Sequence, residues 1–222
     1  MTSAEVAALA APILLVPVGS FEQHGPHLPL DTDTLIAVQL AWEAQRRLDL
    51  DSMIGPPITV SASGEHQGFA GTLSIGTETT AAVLVEIVRS AEWARGVVFV
   101  NGHGGNVAAF DRAGAVFTSE GRNVLVWSPS AAPDDDAHAG RTETSVIAHL
   151  HPHTVDWSAV APGNTSPLVD LLPSMRAGGV RAVSDSGVLG DPTGSSAELG
   201  ARIFERWCDD LVSAVVVWSA HR

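Results

Sequence analysis

The residues best suited to chemistry lie between Val16 and Asp33, in the sequence VPVGSFEQHGPHLPLDTD. Glu22, His24 and Asp33 are carboxylate and imidazole groups of the kind that bind divalent metal ions. Because residues two apart in an extended segment project to the same side, Glu22 and His24 can face one point. The Gly and Pro content predicts a loop, which brings Asp33 back toward the other two residues at the start of a helix. We therefore predict that this loop surrounds one or two divalent metal ions.

The same segment also allows a purely structural interpretation. Asp31 and Asp33 are good helix N-cap residues, and Glu22 could be solvated. A single histidine in a loop is commonly only a hydrogen-bond partner. The clustering of both ligand types within one short loop favours the metal site, because hydrolytic metal centres use mixed carboxylate and imidazole ligands.

A second motif, NGHGGN at residues 101–106, follows another apolar run. His103 is its only long side chain, and Gly104 and Gly105 would let the backbone come close to a bound ion or substrate. Asn106 is expected to cap the helix that follows. A tight turn without function and a phosphate-binding loop are the alternatives, although no Lys follows as a P-loop requires.

A third segment, DAHAGRTETS at residues 136–145, places a histidine before a predicted helix and a carboxylate in its first turn. The functional interpretation makes His138 a proton shuttle and Glu143 a metal ligand or a base. The helix dipole favours an acid at this position, so Glu143 also has a structural explanation.

The remaining histidines carry weaker signals. His66, in the loop GEHQGFAGT, is a candidate for the rim of a substrate pocket. Three others alternate around Pro152, which favours surface or oligomer contacts over a metal site; they are His149, His151 and His153. His221 lies next to the C-terminus and is expected to be mobile.

Four apolar runs rich in Val, Ile and Leu alternate with segments of helical period. The runs are 13–18, 54–60, 97–100 and 124–127, and the predicted helices are 34–48, 78–94, 107–120 and 197–218. This alternation is typical of a parallel sheet buried on both faces. We therefore predict an α/β fold, a three-layer α-β-α sandwich with a mainly parallel central sheet. Ligands bind such sheets beyond the carboxyl ends of the strands, where the motifs described above are found.

Length and composition indicate a globular protein that forms a single domain, residues 1–222. The chain is 45% hydrophobic and 17% charged and contains no apolar run long enough to cross a membrane, so we expect no membrane partner. The formal net charge of -13 repels phosphate backbones, so nucleic acid is not expected as a partner either.

The single cysteine, Cys208, cannot form an intramolecular disulfide. Its neighbours Trp207 and Leu211 indicate a packing position on a helix more than a catalytic thiol. The first eleven residues lack the basic region of a secretory signal. Together these features favour a reducing cytoplasm.

The motifs together resemble those of the creatininase family of metal-dependent amidohydrolases. The resemblance rests on EQHGPHLPLDTD, NGHGGN, HAGRTETS and HQGFAGTLS, the last being similar to the family's HxGFPGT segment with Ala70 in place of the proline. These motifs follow the family's order between Val16 and Ser145. The resemblance implies an α/β fold with a central parallel sheet, a Zn, Mn or Fe centre, and a closed homo-oligomer such as a hexamer.

Carried over position by position, the resemblance implies a set of metal ligands with Asp33 bridging if two ions are present. These ligands are Glu22, His24, Asp33 and His103. Creatinine-hydrolysing members carry a Tyr and an acid within the N-G-H motif, where this chain has Gly104 and Gly105, and the chain contains no Tyr. This difference argues against creatinine as the substrate, and a second ion then requires Glu143 as a ligand.

Within the family, the short chain and the first motif are most similar to members that act as peptidases. These remove a C-terminal Val-Tyr dipeptide from a ribosomally made precursor after a radical enzyme has modified its end. The alternatives are an amidohydrolase acting on a small cyclic amide or formamide, and a non-enzymatic metal-binding partner of the maturation machinery. In an enzyme, the metal activates water and His138 or Glu143 passes a proton to the leaving nitrogen.

Overall fold

The structure is a computed structural model that describes residues 1–220. The prediction that His221 is mobile concerns a residue outside this range. The strands are β1 (Ile13–Val18), β2 (Ser52–Ile54), β3 (Gly96–Asn101) and β4 (Val124–Trp127). The helices are α1 (Ser3–Ala7), α2 (Thr32–Arg47), α3 (Gly76–Ser90), α4 (Val107–Ser119), α5 (Arg141–Leu150), α6 (Leu168–Gly178) and α7 (Ala197–Ala220). None of the helices within residues 1–220 has the length and apolar character needed to cross a membrane.

The described strands form one parallel sheet in the order β2-β1-β3-β4. The central strands β1 and β3 are buried along their whole length, as the continuous apolar runs predict. They are aligned in register, with Ile13 opposite Gly96 and Val18 opposite Asn101. Both strands therefore end at the same edge of the sheet, and the loops that carry the predicted ligands begin side by side.

Side chains of the central strands alternate between two apolar cores on opposite faces of the sheet. Ile13 and Leu15 belong to the core that includes buried residues of α2, α5 and α7. Leu14 and Val16 belong to the other core, with residues of α3 and α4. This arrangement confirms the predicted three-layer α-β-α sandwich, and the sheet of the described residues is entirely parallel.

Three local predictions are wrong. The strand predicted at 54–60 ends at Ile54, because Pro56 and Pro57 lack the N–H groups that a ladder needs. Asn106 precedes α4 without capping it, since its side chain instead bonds the Ala62 N–H and the Asn101 side chain. Helix α6 is absent from the prediction because it contains Pro173 and buries only Leu171, which leaves little apolar periodicity.

The packing of Cys208 gives a chemical test of the fold. Cys208 is fully buried in α7, and burial raises the pKa of its thiol to about 12. We expect no reaction with a thiol-specific chromogenic reagent at neutral pH in the native protein, because the reactive thiolate is not formed there. One equivalent should react per chain in denaturant, as measured by absorbance. Rapid reaction of the native protein would contradict this packing.

Candidate metal centre

The loop after β1 carries the first three predicted ligands. After Val18 the chain passes Glu22 and His24 before α2 begins, and a hydrogen bond of 2.9 Å from the Glu22 N–H to the Leu30 carbonyl closes the loop. Asp33 lies in the first turn of α2, where a carboxylate interacts favourably with the helix dipole. All three side chains are buried, so the solvated alternative for Glu22 is wrong.

Asp33 links the two predicted imidazole ligands. Its Oδ1 lies 3.1 Å from Nε2 of His24, and its Oδ2 lies 3.0 Å from Nδ1 of His103. The Ser20 hydroxyl donates a hydrogen bond of 2.8 Å to Oδ2. The alternative role in helix capping fails for Asp31, which precedes α2 without a capping hydrogen bond from its side chain. The structure thus brings Asp33 together with both histidines, as the sequence predicts.

The Glu22 carboxylate lies at the centre of the cluster. Its Oε2 is 3.2 Å from Nε2 of His103, and its Oε1 is 3.3 Å from Nε2 of His66. Among the described residues, neither oxygen has a partner with hydrogen-bond geometry. Burial raises the pKa of Glu22 to about 7. A buried carboxylate without donors is destabilising unless it is neutralised by a proton or by a cation.

His103 comes from the turn after β3 and is held against the first loop. Gly102 makes the approach possible, because a Cβ at this position would lie only 2.5 Å from the Asp33 carbonyl oxygen. The Asn101 amide donates a hydrogen bond of 2.9 Å to the His103 carbonyl, and the His103 Nε2 lies 3.0 Å from the Ala62 carbonyl. These contacts fix the imidazole between Asp33 and Glu22.

The carboxylates strongly favour positive charge on two imidazoles. Burial opposes the charging of His24, but the charge and hydrogen bond of Asp33 outweigh it and raise the pKa of His24 to about 9. Burial also opposes the charging of His103, and Glu22 and Asp33 together raise its pKa to about 10. A divalent cation would supply the same positive charge while the imidazoles serve as neutral ligands.

The other two imidazoles stay neutral in the same cluster. Burial, together with the charges of His103 and His24, lowers the pKa of His66 to about 3. Burial and the charges of His24 and His66 lower the pKa of His138 well below its usual range. Both rings are therefore neutral at pH 7 and can serve as neutral ligands.

His66 lines the cavity beside the predicted ligands, but its ring is buried and not exposed at the cavity mouth. The single helical turn Gly64–His66 directs its ring inward, so that the side chain is buried against Glu22. Its Nδ1 accepts a hydrogen bond of 2.8 Å from the amide of Gln23. The sequence shows a histidine in a Gly-rich loop, but not which way that loop folds.

Glu143 lies in the first turn of α5, as predicted, with its carboxylate near His24. Its Oε2 accepts a hydrogen bond of 2.6 Å from the Ala139 N–H and lies 3.9 Å from Nε2 of His24. Burial raises the pKa of Glu143 to about 7. The position suits a metal ligand because the carboxylate faces the same imidazole as Asp33.

His138 precedes α5 and joins the cluster from the opposite side. Its Nε2 lies 2.7 Å from the Gln23 backbone carbonyl, which can only accept, and 3.0 Å from the Gln23 side-chain amide nitrogen, which can only donate, so these two contacts favour opposite tautomers. Its Nδ1 lies 3.7 Å from Oε1 of Glu22. Both predicted catalytic side chains, His138 and Glu143, thus lie at the cluster of predicted ligands.

Three overlapping groups of side chains in the described chain have ligand atoms within 4.8 Å of one another. They are Glu22, His24 and His138; Glu22, Glu65 and His103; and His24, Asp33 and Glu143. These groups contain all five predicted ligands and suit a Zn, Mn or Fe ion, for which imidazole and carboxylate ligands are typical. Glu65 is not among the residues predicted from the sequence. Its position beside His66 is the only sequence feature that marks it as a candidate.

A cavity of about 770 Å³ opens at this cluster. Its lining includes the predicted substrate contacts His66, Gly104 and Gly105. Apolar side chains of α6, among them Leu168 and Met175, also line it. A volume of this size accommodates a ligand larger than a single small amide.

The three alternating histidines lie outside the cavity lining, at and beyond the end of α5. His149 is exposed and its ring packs 6.1 Å from that of Phe204, measured between centroids. His153 is also exposed, and His151 is half-buried. Their positions agree with the prediction that they are not part of the metal site.

The sequence matches the family model for creatininase, described as creatinine amidohydrolase, over residues 1–215. It is 50% identical over 216 residues to the mycofactocin precursor peptide peptidase of Mycolicibacterium smegmatis, a match that covers 95% of this chain and 87% of that protein. Among solved structures, one named Creatininase Mn has a TM-score of 0.79 and 25% identity, covering 97% of this chain and 95% of that chain. A mutant creatininase of the Zn-Zn type has a TM-score of 0.79 and 26% identity, with the same coverage. The resemblance in the motifs is thereby confirmed, and the chain belongs to the creatininase family of hydrolases that act on amide bonds.

Proposed function

We propose that this chain is a metal-dependent peptidase that removes the C-terminal Val-Tyr dipeptide from the modified mycofactocin precursor peptide. The observation that carries the proposal is the 50% identity, over 95% of the chain, to a protein named mycofactocin precursor peptide peptidase. The cavity of about 770 Å³ beside the ligand cluster supports a substrate of peptide size. Its apolar α6 wall suits apolar or aromatic side chains next to the scissile bond.

The metal is one or two divalent ions per chain, Zn, Fe or Mn, and the solved relatives are named for Mn and Zn. The residues that would hold it are Glu22, His24, Asp33, His103 and Glu143. Asp33 suits a bridging role, since its two oxygens face different imidazoles. When bound, such an ion supplies Lewis acidity, which makes water a nucleophile at neutral pH and polarises a scissile carbonyl.

The chain's own residues handle the proton. A neutral His138 ring has one nitrogen without a proton, which can accept one. The lowered pKa keeps this ring neutral before reaction. We assign to it the transfer of a proton from water to the leaving nitrogen. Glu143 is the second candidate for this transfer if it does not ligate metal. His66, Gly104 and Gly105 would contact the substrate.

We further propose that the single domain of residues 1–222 assembles into a homo-oligomer, a hexamer or a similar closed ring, in the cytoplasm. Large apolar side chains outside the cavity lining support assembly: Trp42 is 59% exposed and Trp157 is 49% exposed. The net charge of -13 supports the absence of a nucleic-acid partner. We propose no membrane partner.

The first prediction concerns the metal itself. Protein purified without chelator should contain one or two divalent ions per chain by inductively coupled plasma mass spectrometry. Removal of the metal should abolish peptide cleavage, because no side chain in the cluster is a strong nucleophile at neutral pH, and Zn²⁺, Mn²⁺ or Fe²⁺ should restore it. Protein without stoichiometric metal would contradict the proposed function.

The second prediction concerns the ligands. Asp33→Ala and His103→Ala should each reduce kcat/KM by more than about 100-fold. Each variant lacks a residue that ligates the metal directly, and not merely a residue that orients a ligand. His149→Ala is the matched control, because His149 is exposed at the end of α5 and outside the cavity. Circular dichroism and thermal unfolding report whether the variants fold. Full activity in either ligand variant would exclude this site.

The third prediction concerns the substrate. Incubation of the metal-loaded protein with modified precursor peptide should release the C-terminal dipeptide unit and a correspondingly shortened peptide, as detected by mass spectrometry. Creatinine and formamides should remain intact in parallel reactions. Cleavage of small amides but not of the peptide would support the cyclic amide or formamide alternative. Metal binding without turnover of any amide would support a non-enzymatic role.

A further inference from the structure

Glu65 approaches the metal cluster from a segment that carries none of the five expected ligands. Its Oε1 lies 3.5 Å from Nε2 of His103, and its side chain is 29% exposed in the cavity lining. Glu65, Glu22 and His103 each offer a ligand atom within 4.8 Å of the others. In the described part of the chain, His103 is the ion-pair partner of Glu65, and no arginine pairs with it.

Gly105 leaves the space that the Glu65 carboxylate occupies. A Cβ at Gly105 would lie 2.0 Å from Oε1 of Glu65 and 2.3 Å from Nε2 of His103. Gly105 does not have a positive φ, so the space, and not an unusual backbone conformation, requires glycine here. A Cβ at the neighbouring Gly104 would have no atom within 4 Å. A methyl group would therefore clash with its surroundings at Gly105 but not at Gly104.

Glu22 gives independent support for a cation at this point. Its Oε2 lies 3.2 Å from the same His103 Nε2 that faces Glu65, and its side chain is fully buried. Within residues 1–220 neither Glu22 oxygen finds a donor with hydrogen-bond geometry. Two carboxylates that face one imidazole nitrogen without donors repel each other unless a positive charge lies between them.

We propose that Glu65 is a metal ligand that joins Glu22 and His103 around one ion, while His24, Asp33 and Glu143 surround the other position. This proposal rests on the proposed function, because it names a further ligand of the same centre. Glu65 then provides a negative charge that the resemblance alone leaves to Glu143.

The test measures Zn²⁺ binding and needs no substrate. Full-length protein is stripped of metal and titrated with Zn²⁺ against a competing chelator, and bound zinc is counted by mass spectrometry. Glu65→Gln keeps the shape of the side chain and removes its charge. We expect it to bind one zinc ion at least about 100-fold more weakly than the wild type, with an unchanged circular dichroism spectrum. Asp111→Asn is the matched control, because Asp111 lines the same cavity outside the ligand groups.

A glycine pair tests the space that the Glu65 carboxylate and the His103 ring share. Gly105→Ala should weaken zinc binding to a similar extent, because the new methyl group displaces the Glu65 carboxylate and the His103 ring. Gly104→Ala should bind zinc as the wild type does, since its methyl group meets nothing.

The outcomes separate this inference from the proposed function. If the wild type binds no zinc, the metal-dependent function fails and this inference fails with it. If the wild type binds zinc and Glu65→Gln binds it with the same affinity and stoichiometry, Glu65 is not a ligand. The proposed function would stand in that case. Equal weakening in Asp111→Asn would also overturn the inference, because the effect would then reflect the general charge of the cavity.

Discussion

The Asp33 carboxylate connects the two segments that make the site. One oxygen contacts His24 on the loop after β1, and the other contacts His103 on the turn after β3, at 3.1 and 3.0 Å. These segments meet because β1 and β3 are parallel, adjacent and in register, so that both end at one edge of the sheet. Gly102 allows the turn after β3 to lie close to the Asp33 backbone, because a Cβ at this position would clash with the Asp33 carbonyl oxygen. The first turn of α2 stabilises the charge at this point.

Much of this arrangement is predictable from the sequence because its signals are local. Glu22, His24 and Asp33 lie in one short loop, and His103 and His138 follow later strands of the same sheet. Continuous apolar runs indicate buried parallel strands, and parallel strands deliver their following loops to a common edge. The topology therefore brings together ligands that are far apart in the sequence. This proximity can be predicted before the side-chain contacts are known.

The features that the sequence does not predict depend on contacts between distant segments. The orientation of His66 follows from its hydrogen bond with Gln23, and the role of Glu65 follows from the space left by Gly105. Neither partner is marked by periodicity or by a motif. Helix α6 escapes prediction for a related reason: it buries little, contains a proline, and packs with a small third core formed by Leu171, Val180 and Leu189.

The charge of the cluster explains which ligand it can hold. Four carboxylates converge here, those of Glu22, Asp33, Glu65 and Glu143, and in the described chain all their ion-pair partners are histidines. All twelve basic residues of the protein are arginines, and several of them pair with exposed acids elsewhere, such as Arg47 with Glu43 and Arg89 with Glu120.

The raised pKa values of His24 and His103 show how strongly these carboxylates attract positive charge. Protonating both imidazoles would neutralise only half of the carboxylate charge, and it would remove both imidazoles as ligands. Two divalent cations carry four positive charges, which equals the charge of the four carboxylates and leaves the imidazoles neutral. A single divalent ion would leave two carboxylates to be neutralised by protons, which the raised pKa values of Glu22 and Glu143 would permit. Protons on Glu22 and Glu143 and a second divalent ion are thus two ways of neutralising the same carboxylates.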